Sequence, residues 1–198
     1  MTRPRTVILL AGPSGSGKSR LARLSGLPSL RLDDFYRDAD APGLPLLRNG
    51  VIDWDDPATW DANGAARALV ELARTGVTQT PTYDIATSRR TGTHRVDVGE
   101  GPAVLAEGIF AAELAGLGGV GADVPVQAIW LDRPRLVTWW RRLRRDLKQH
   151  RKPVPVLLRR GIALCLAEPR LRATALARGF EPLTMRQATA RLAGPDRA

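Results

Sequence analysis

The stretch Thr6–Ser19 reads TVILLAGPSGSGKS. Its first half, Thr6–Ala11, is β-branched and aliphatic without polar alternation, the pattern of a short strand buried on both faces of a parallel sheet. Its second half, Gly12-Pro13-Ser14-Gly15-Ser16-Gly17-Lys18-Ser19, fits GxxxxGK[ST] and stands where that motif requires, directly after the strand and at the opening of a helical stretch, Lys18–Leu24. Glycines let consecutive backbone N–H groups close around phosphate oxygens, and the N-terminus of the following helix adds partial positive charge. In such a loop the lysine, here Lys18, reaches the β- and γ-phosphates of a nucleotide, and the Ser19 hydroxyl supplies a ligand for Mg²⁺. Kinases, GTPases, motors and other ATPases all use this cradle, so the rest of the chain must separate them.

The composition is that of a folded globular chain. Of its 198 residues 43% are hydrophobic and 25% charged, which argues against wholesale disorder and suits one domain. No apolar run reaches the roughly 18 residues of a membrane span, and Met1–Pro4 leads into strand-like rather than signal-like sequence, so a cytoplasmic protein is expected. Cys165 is the only cysteine; an intramolecular disulfide is impossible, and its apolar surroundings suit a buried, inert thiol. His94 and His150 have no second ligand at metal-binding spacing, which removes a structural zinc site and leaves oxygen-ligated Mg²⁺ open. The formal charge is +10, and seven of the twelve residues from Arg141 to Lys152 are Arg or Lys. Such a surplus attracts nucleic acid, an anionic membrane or a nucleotide triphosphate.

Beyond the opening motif, Leu30–Leu32 suits a short second strand and Pro42–Gly50 a turn-rich loop. Pro57–Arg74 suits a helix ended by Gly76, with Asp55 or Asp56 as its cap. Val77–Val98, rich in Thr, Tyr and Val with turn residues inside it, fits short strands or a hairpin. Ala103–Ala106 and Val126–Leu131 are further candidates for buried strands, each followed by helical sequence, and this alternation predicts an α/β fold around a parallel sheet. In Pro134–His150 the apolar residues Leu136, Trp140, Leu143 and Leu147 share one stripe, expected to face the core, with Arg142 and Arg145 on the opposite side. After Pro153 and Pro155 the chain reads as helical to about Arg178, and the last residues show no repeat.

Three carboxylates come to the edge where the carboxyl ends of parallel strands gather ligands: Asp33 and Asp34 after the second strand, and Glu107 after Ala106. A carboxylate of the Asp pair is suited to accept a hydroxyl proton, while one of the two caps the next turn. Glu107 is suited to hold Mg²⁺, directly or through water.

Taken in order, these pieces resemble the uridine kinase family of P-loop nucleoside kinases, over about Thr6 to Lys152. GPSGSGKS is followed by Asp33-Asp34-Phe35-Tyr36 where that family has D-S-F-Y, and by Trp54-Asp55-Asp56-Pro57 where it has F-D-H-P. Then come Pro81-Thr82-Tyr83-Asp84 for P-x-Y-D, Glu107-Gly108-Ile109 for E-G-I, and Leu131-Asp132 with the Arg142 to Asp146 stretch. The resemblance implies a single P-loop NTPase domain, three-layered α/β/α around a central parallel sheet. A substrate-binding insertion over about 77–98 and a helical lid over about 141–155 belong to the same picture. It implies ATP and Mg²⁺ as cofactors, Asp33 as catalytic base, and Ser19, Asp33 and Glu107 around the metal. Asp55 and Arg142 would hold ribose hydroxyls, Tyr83 would approach the base, and Arg145 with Arg151 or Lys152 would close over the phosphates. The physics of phosphoryl transfer supports such a lid, because guanidinium groups neutralise charge on the group in transit.

The chain departs from the family pattern at three positions. Ile85 replaces an aromatic residue, Ser88 a histidine that reads the pyrimidine, and Asp56 the histidine of F-D-H-P. A kinase for another nucleoside, or for a smaller alcohol such as pantothenate, is therefore the alternative to a uridine or cytidine kinase. A nucleic-acid-binding protein is the rival from another class, motivated by the basic Arg141–Lys152 segment, which lacks aromatics interleaved on its charged face. No membrane partner is expected, and a homo-oligomer is compatible with the sequence.

Overall fold

Strand β1 (Thr6–Ala11) lies at the centre of a five-stranded parallel sheet. β1 pairs with β5 (Ala103–Glu107) on one side and β6 (Val126–Leu131) on the other. β2 (Ser29–Arg31) and β7 (Glu181–Leu183) form the edges, so the order is β2-β5-β1-β6-β7. The computed structural model describes residues 3–116, 119–148 and 154–193.

The unbroken apolar run of β1 follows from this central place. Val7, Leu9 and Ala11 join one core cluster with Leu30, Leu69, Leu72, Phe110 and Leu114. Ile8 and Leu10 join the opposite cluster with Leu21, Leu105, Ile129, Leu131 and Leu192. Helices α2 (Ala62–Thr75), α3 (Ala111–Gly116) and α4 (Gly119–Asp123) cover the first face. α1 (Lys18–Ser25) and α7 (Met185–Ala193) cover the second. The result is the expected α/β fold with helices on both sides of a central parallel sheet.

The segment 77–98 folds as an antiparallel hairpin of β3 (Val77–Asp84) and β4 (Arg89–Asp97), outside the main sheet. The helix expected over Pro57–Arg74 is broken. A 3-10 turn, Pro57–Thr59, is capped by Asp56, whose Oδ1 accepts from Ala58 N at 2.8 Å. α2 then starts afresh, capped by Asp61, which accepts from Gly64 N at 2.8 Å. Two competing side-chain caps five residues apart explain why one helix reads as two. Gly76 ends α2 in the left-handed conformation, as expected.

Helix α5 (Arg135–Lys148) reverses the expected polarity. Leu136 is 76% exposed, Trp140 58% and Leu147 40%, so the apolar stripe faces solvent rather than the core. The Arg142 face turns inward, toward the P-loop. Helical spacing identified the two faces; the P-loop behind the helix, rich in exposed carbonyl groups, selected the basic one. α5 packs against the long helix α6 (Val154–Ala177), where Gly161 lets the Trp139 ring come within 2.8 Å of the place a Cβ would occupy. Cys165 is half-buried on α6 rather than buried. Among the described residues no helix is long and apolar enough to cross a membrane.

Candidate active site

The P-loop connects β1 to α1 by three glycines in backbone conformations open to glycine, with φ of +149° at Gly12, +88° at Gly15 and +104° at Gly17. A Cβ on Gly15 would lie 2.7 Å from the carbonyl oxygen of Thr138 in α5, so the close seating of that helix also requires glycine. Lys18 is buried, and its Nζ donates to the carbonyls of Gly12 at 2.7 Å and Pro13 at 3.3 Å. Burial lowers its pKa below the ordinary lysine value, an effect partly opposed by the carboxylates of Asp33 and Glu107 and reinforced by Arg142 and Arg145. These four side chains therefore lie within electrostatic reach of Lys18.

The carboxylates arrive from two parallel strand ends. Glu107 closes β5, and its Oε1 accepts from Ser19 Oγ at 3.0 Å. Asp33 lies on the 3-10 turn Leu32–Phe35 directly after β2. A Cβ on Gly108 would come 3.0 Å from Asp33 Oδ1 and 2.7 Å from Leu32 Cβ, so the residue after Glu107 must be glycine for the turn to seat there. That Oδ1 is buried and has no hydrogen-bond partner among the described residues, an orphaned acceptor of the kind that a donor group or a cation satisfies. Asp34 goes elsewhere: it is 7% exposed, lies 3.6 Å from Arg31 Nη2, and burial raises its pKa. The pair separates because consecutive side chains on a 3-10 turn, with three residues per turn, diverge by about 120°.

Ser19, Asp33 and Glu107 offer a hydroxyl and two carboxylates, hard oxygen donors that suit Mg²⁺ completed by water and phosphate oxygens. Among the described residues no group of three or more His, Cys, Asp or Glu side chains forms a metal cage made of protein alone.

Arg142 Nη2 donates to the carbonyl of Ser14 at 3.0 Å, so in this structure it contacts the nucleotide side of the site. Arg145 sits on the same helix. Arg151 and Lys152 lie outside the described residues, as does His150. Arg133, just past β6, donates from Nε to Ser16 O at 2.6 Å. Burial lowers its pKa, and so do the charges of Arg141 and Arg20, both of its own sign. The sequence reading passed over Arg133; its place two residues past a central strand, beside the P-loop edge, was the available signal.

On the acceptor side, Tyr36 centres an aromatic group, 5.7 Å from Trp54, 5.6 Å from Tyr83 and 5.7 Å from Phe110 between ring centroids. Tyr36 Oη donates to Trp54 O at 3.0 Å, and Tyr83 Oη to Arg37 O at 3.4 Å. Burial raises the Tyr83 pKa, and a hydrogen bond with Ser88 opposes the rise. Trp60 Nε1 donates to Leu32 O at 2.7 Å, so this aromatic wall also braces the turn that carries Asp33. Asp55 is exposed nearby, and Ile85, 61% exposed, adds no ring to the wall. A cleft of about 510 Å³, lined by Arg37, Asp38, Asp61 and Arg90 among others, lies behind the same turn rather than over the P-loop.

No protein-family model matches the chain. A structure provisionally described as a fructose transport system kinase from Silicibacter sp. TM1040 shares 23% identity over 87% of this chain and 86% of that one, with a TM-score of 0.62. Phosphoribulokinase from Rhodobacter spheroides shares 16% identity over 87% of this chain and 68% of that one, with a TM-score of 0.53. Both likenesses show the fold, that of P-loop kinase structures. A structure provisionally described as a uridine kinase from Bacillus stearothermophilus also matches, at 18% identity over 70% of this chain and 77% of that one. Its TM-score of 0.45 is too low to single out that family.

Proposed function

We propose that this chain is a Mg²⁺- and ATP-dependent kinase that phosphorylates a hydroxyl of a small molecule. The observation that carries this reading is the buried, unpartnered Oδ1 of Asp33, set beside the Ser19–Glu107 pair at the mouth of the P-loop. A GTPase or motor needs a group that orients water; an unsatisfied carboxylate next to an aromatic-walled space suits the deprotonation of an organic hydroxyl. Asp33 accepts the hydroxyl proton as the acceptor oxygen bonds to the γ-phosphorus of ATP and the bond to the bridging oxygen of ADP breaks. Lys18 and Arg145 neutralise the charge on the group in transit. Ser19 and Glu107, with Asp33 beside them, would hold Mg²⁺, which would supply positive charge against the triphosphate.

A nucleoside is the first choice of acceptor, since Tyr36, Trp54 and Tyr83 offer ring faces to a base. In this reading Asp55 holds ribose hydroxyls, and Arg142 would leave the Ser14 carbonyl to join it. The hairpin β3–β4 serves as the substrate-binding insertion and α5 as the lid. A smaller alcohol is the second reading, favoured by the Ser88 hydroxyl bonded to Tyr83 and by the exposed aliphatic Ile85. The structural neighbours described as kinases of fructose transport and of phosphoribulose point the same way.

ADP formation should be measured with Mg²⁺, ATP and a panel of nucleosides, pantothenate, fructose and phosphorylated pentoses. One acceptor class should stimulate turnover well above the rate with ATP alone. No stimulation by any hydroxyl compound, together with salt-sensitive binding of DNA or RNA, would transfer the reading to a nucleic-acid-binding protein.

A further inference from the structure

Helix α6 lies beyond every motif in the chain, yet it buries a carboxylate. Over its residues 161–177 the buried positions are Gly161, Glu168 and Ala175, seven apart, a single stripe against the rest of the protein. Gly161 and Ala175 suit close packing. Glu168, 6% exposed, does not: a buried acid costs stability unless hydrogen bonds and charges compensate it. Burial raises its pKa, and the compensation that opposes the rise comes from the helix that covers the P-loop. It consists of the Thr138 hydroxyl, shared between the Arg135 carbonyl at 2.7 Å and Glu168 Oε2 at 3.2 Å, and the charges of Arg135 and Arg142.

Both groups continue to the phosphate cradle. The carbonyl of Thr138 is the atom that a Cβ on Gly15 would meet at 2.7 Å, and Arg142 donates to Ser14 O at 3.0 Å. Arg172, one turn further along α6, donates to Asp132 at the end of β6 from Nη2 at 3.0 Å and from Nε at 3.3 Å. The α6 helix is thereby anchored to the sheet while Glu168 reaches across to α5.

We propose that Glu168 is a positioning residue which, through Thr138 and Arg142, holds α5 against the Ser14–Gly15 apex of the P-loop and so sets the affinity for MgATP. This role rests on the nucleotide-site reading. A structural carboxylate would be expected to stabilise the fold without affecting nucleotide binding per folded molecule. A positioning one shifts the geometry of a loop whose backbone amides must all point at phosphate, where small displacements are costly.

MgATP binding should be measured by calorimetry, with apo melting recorded alongside, for the full chain and for Glu168→Ala, Glu168→Gln, Thr138→Val, Thr138→Ser and Thr138→Val/Glu168→Ala. Losing a buried hydrogen bond to a charged group should weaken MgATP binding roughly tenfold in Glu168→Ala. Thr138→Val should show a similar loss and Thr138→Ser nearly none, and the double variant should be no weaker than Glu168→Ala alone. Glu168→Gln, which keeps volume and can still accept from Thr138 through its amide oxygen but carries no charge for Arg142, should fall between wild type and Glu168→Ala. It carries the test if the alanine variant does not fold. Melting loss with unchanged affinity per folded molecule, or fully additive effects of the two sites, would overturn the role. A wild-type chain that binds no MgATP would instead overturn the nucleotide site itself, an outcome distinct from a variant that binds as well as a competent wild type.

Discussion

The hydroxyl of Ser19 donates to Oε1 of Glu107 at 3.0 Å, joining the first turn of α1 to the end of β5 across the mouth of the P-loop. In the proposed reading Ser19 ligates Mg²⁺, and Glu107 joins it directly or through water. Glu107→Gln should therefore raise the Mg²⁺ concentration for half-maximal activity by roughly tenfold or more. Because the contact is at an exposed strand end, melting should shift by no more than about 2 °C. Titration of activity with Mg²⁺ beside a melting curve separates the two; a stability loss with an unchanged metal requirement would make Glu107 structural.

Asp33 and Asp34 are neighbours with opposite surroundings. Removing a general base costs on the order of 10² to 10⁴ in rate, so Asp33→Asn should lose that much at saturating Mg²⁺. Asp34→Asn should retain most of the turnover. Burial raises the Asp34 pKa, so the destabilisation from ionising it is absent below the ordinary carboxylate range, grows as pH rises from there to the raised value, and is complete above it. At neutral pH Asp34→Asn should melt no lower than wild type, and any gain should vanish in acid. A folded Asp34→Asn that is the more damaged of the two in turnover would reverse the assignment of the base.

Lys18 enters the site with its pKa lowered, chiefly by burial. Phosphates favour its charged form, so MgATP affinity should hold through neutral pH and fall as pH climbs, with the decline starting below the ordinary lysine value of 10.5. In that alkaline range binding should take up a proton, visible as a dependence of the calorimetric enthalpy on the buffer. Lys18→Ala should stay folded, lose phosphoryl transfer and show no such proton uptake. Near-normal turnover in that variant would remove the P-loop from the reaction.

Gly15 carries φ of +88° and faces the Thr138 carbonyl, which a Cβ would approach to 2.7 Å. Gly15→Ala should cost about 1 to 2 kcal/mol in stability from the left-handed backbone alone. The clash should also push α5 away from the loop and weaken MgATP binding roughly tenfold, through the geometry of the cradle. Calorimetry and melting measured together check this; a variant that loses neither stability nor affinity would show that α5 does not seat on Gly15.

The local sequence was enough for whatever depends on neighbours in the chain. The apolar run Thr6–Ala11 specifies a buried central strand because no polar side chain interrupts it, and the glycines of the P-loop specify the cradle because other residues resist those backbone angles. The hairpin over 77–98 and the ends of β5 and β6 were legible for the same reason. What lay outside that reach was decided by contacts between distant segments. The stripe of Leu136, Trp140 and Leu147 is periodic in the sequence, but only the P-loop beneath α5 decided that this stripe stays in solvent while Arg142 turns inward to the Ser14 carbonyl. Asp33 and Asp34 look alike in the chain; the turn over Leu32–Phe35 and the absence of a Cβ at Gly108 separated them. Glu168 carries no local signal at all, because an acid on a helix becomes a buried partner of Thr138 only when a second helix packs over it. Spacing along the chain determines which side chains share a face, whereas the hydrogen-bond partners and packing that distant segments offer determine which face the tertiary structure encloses.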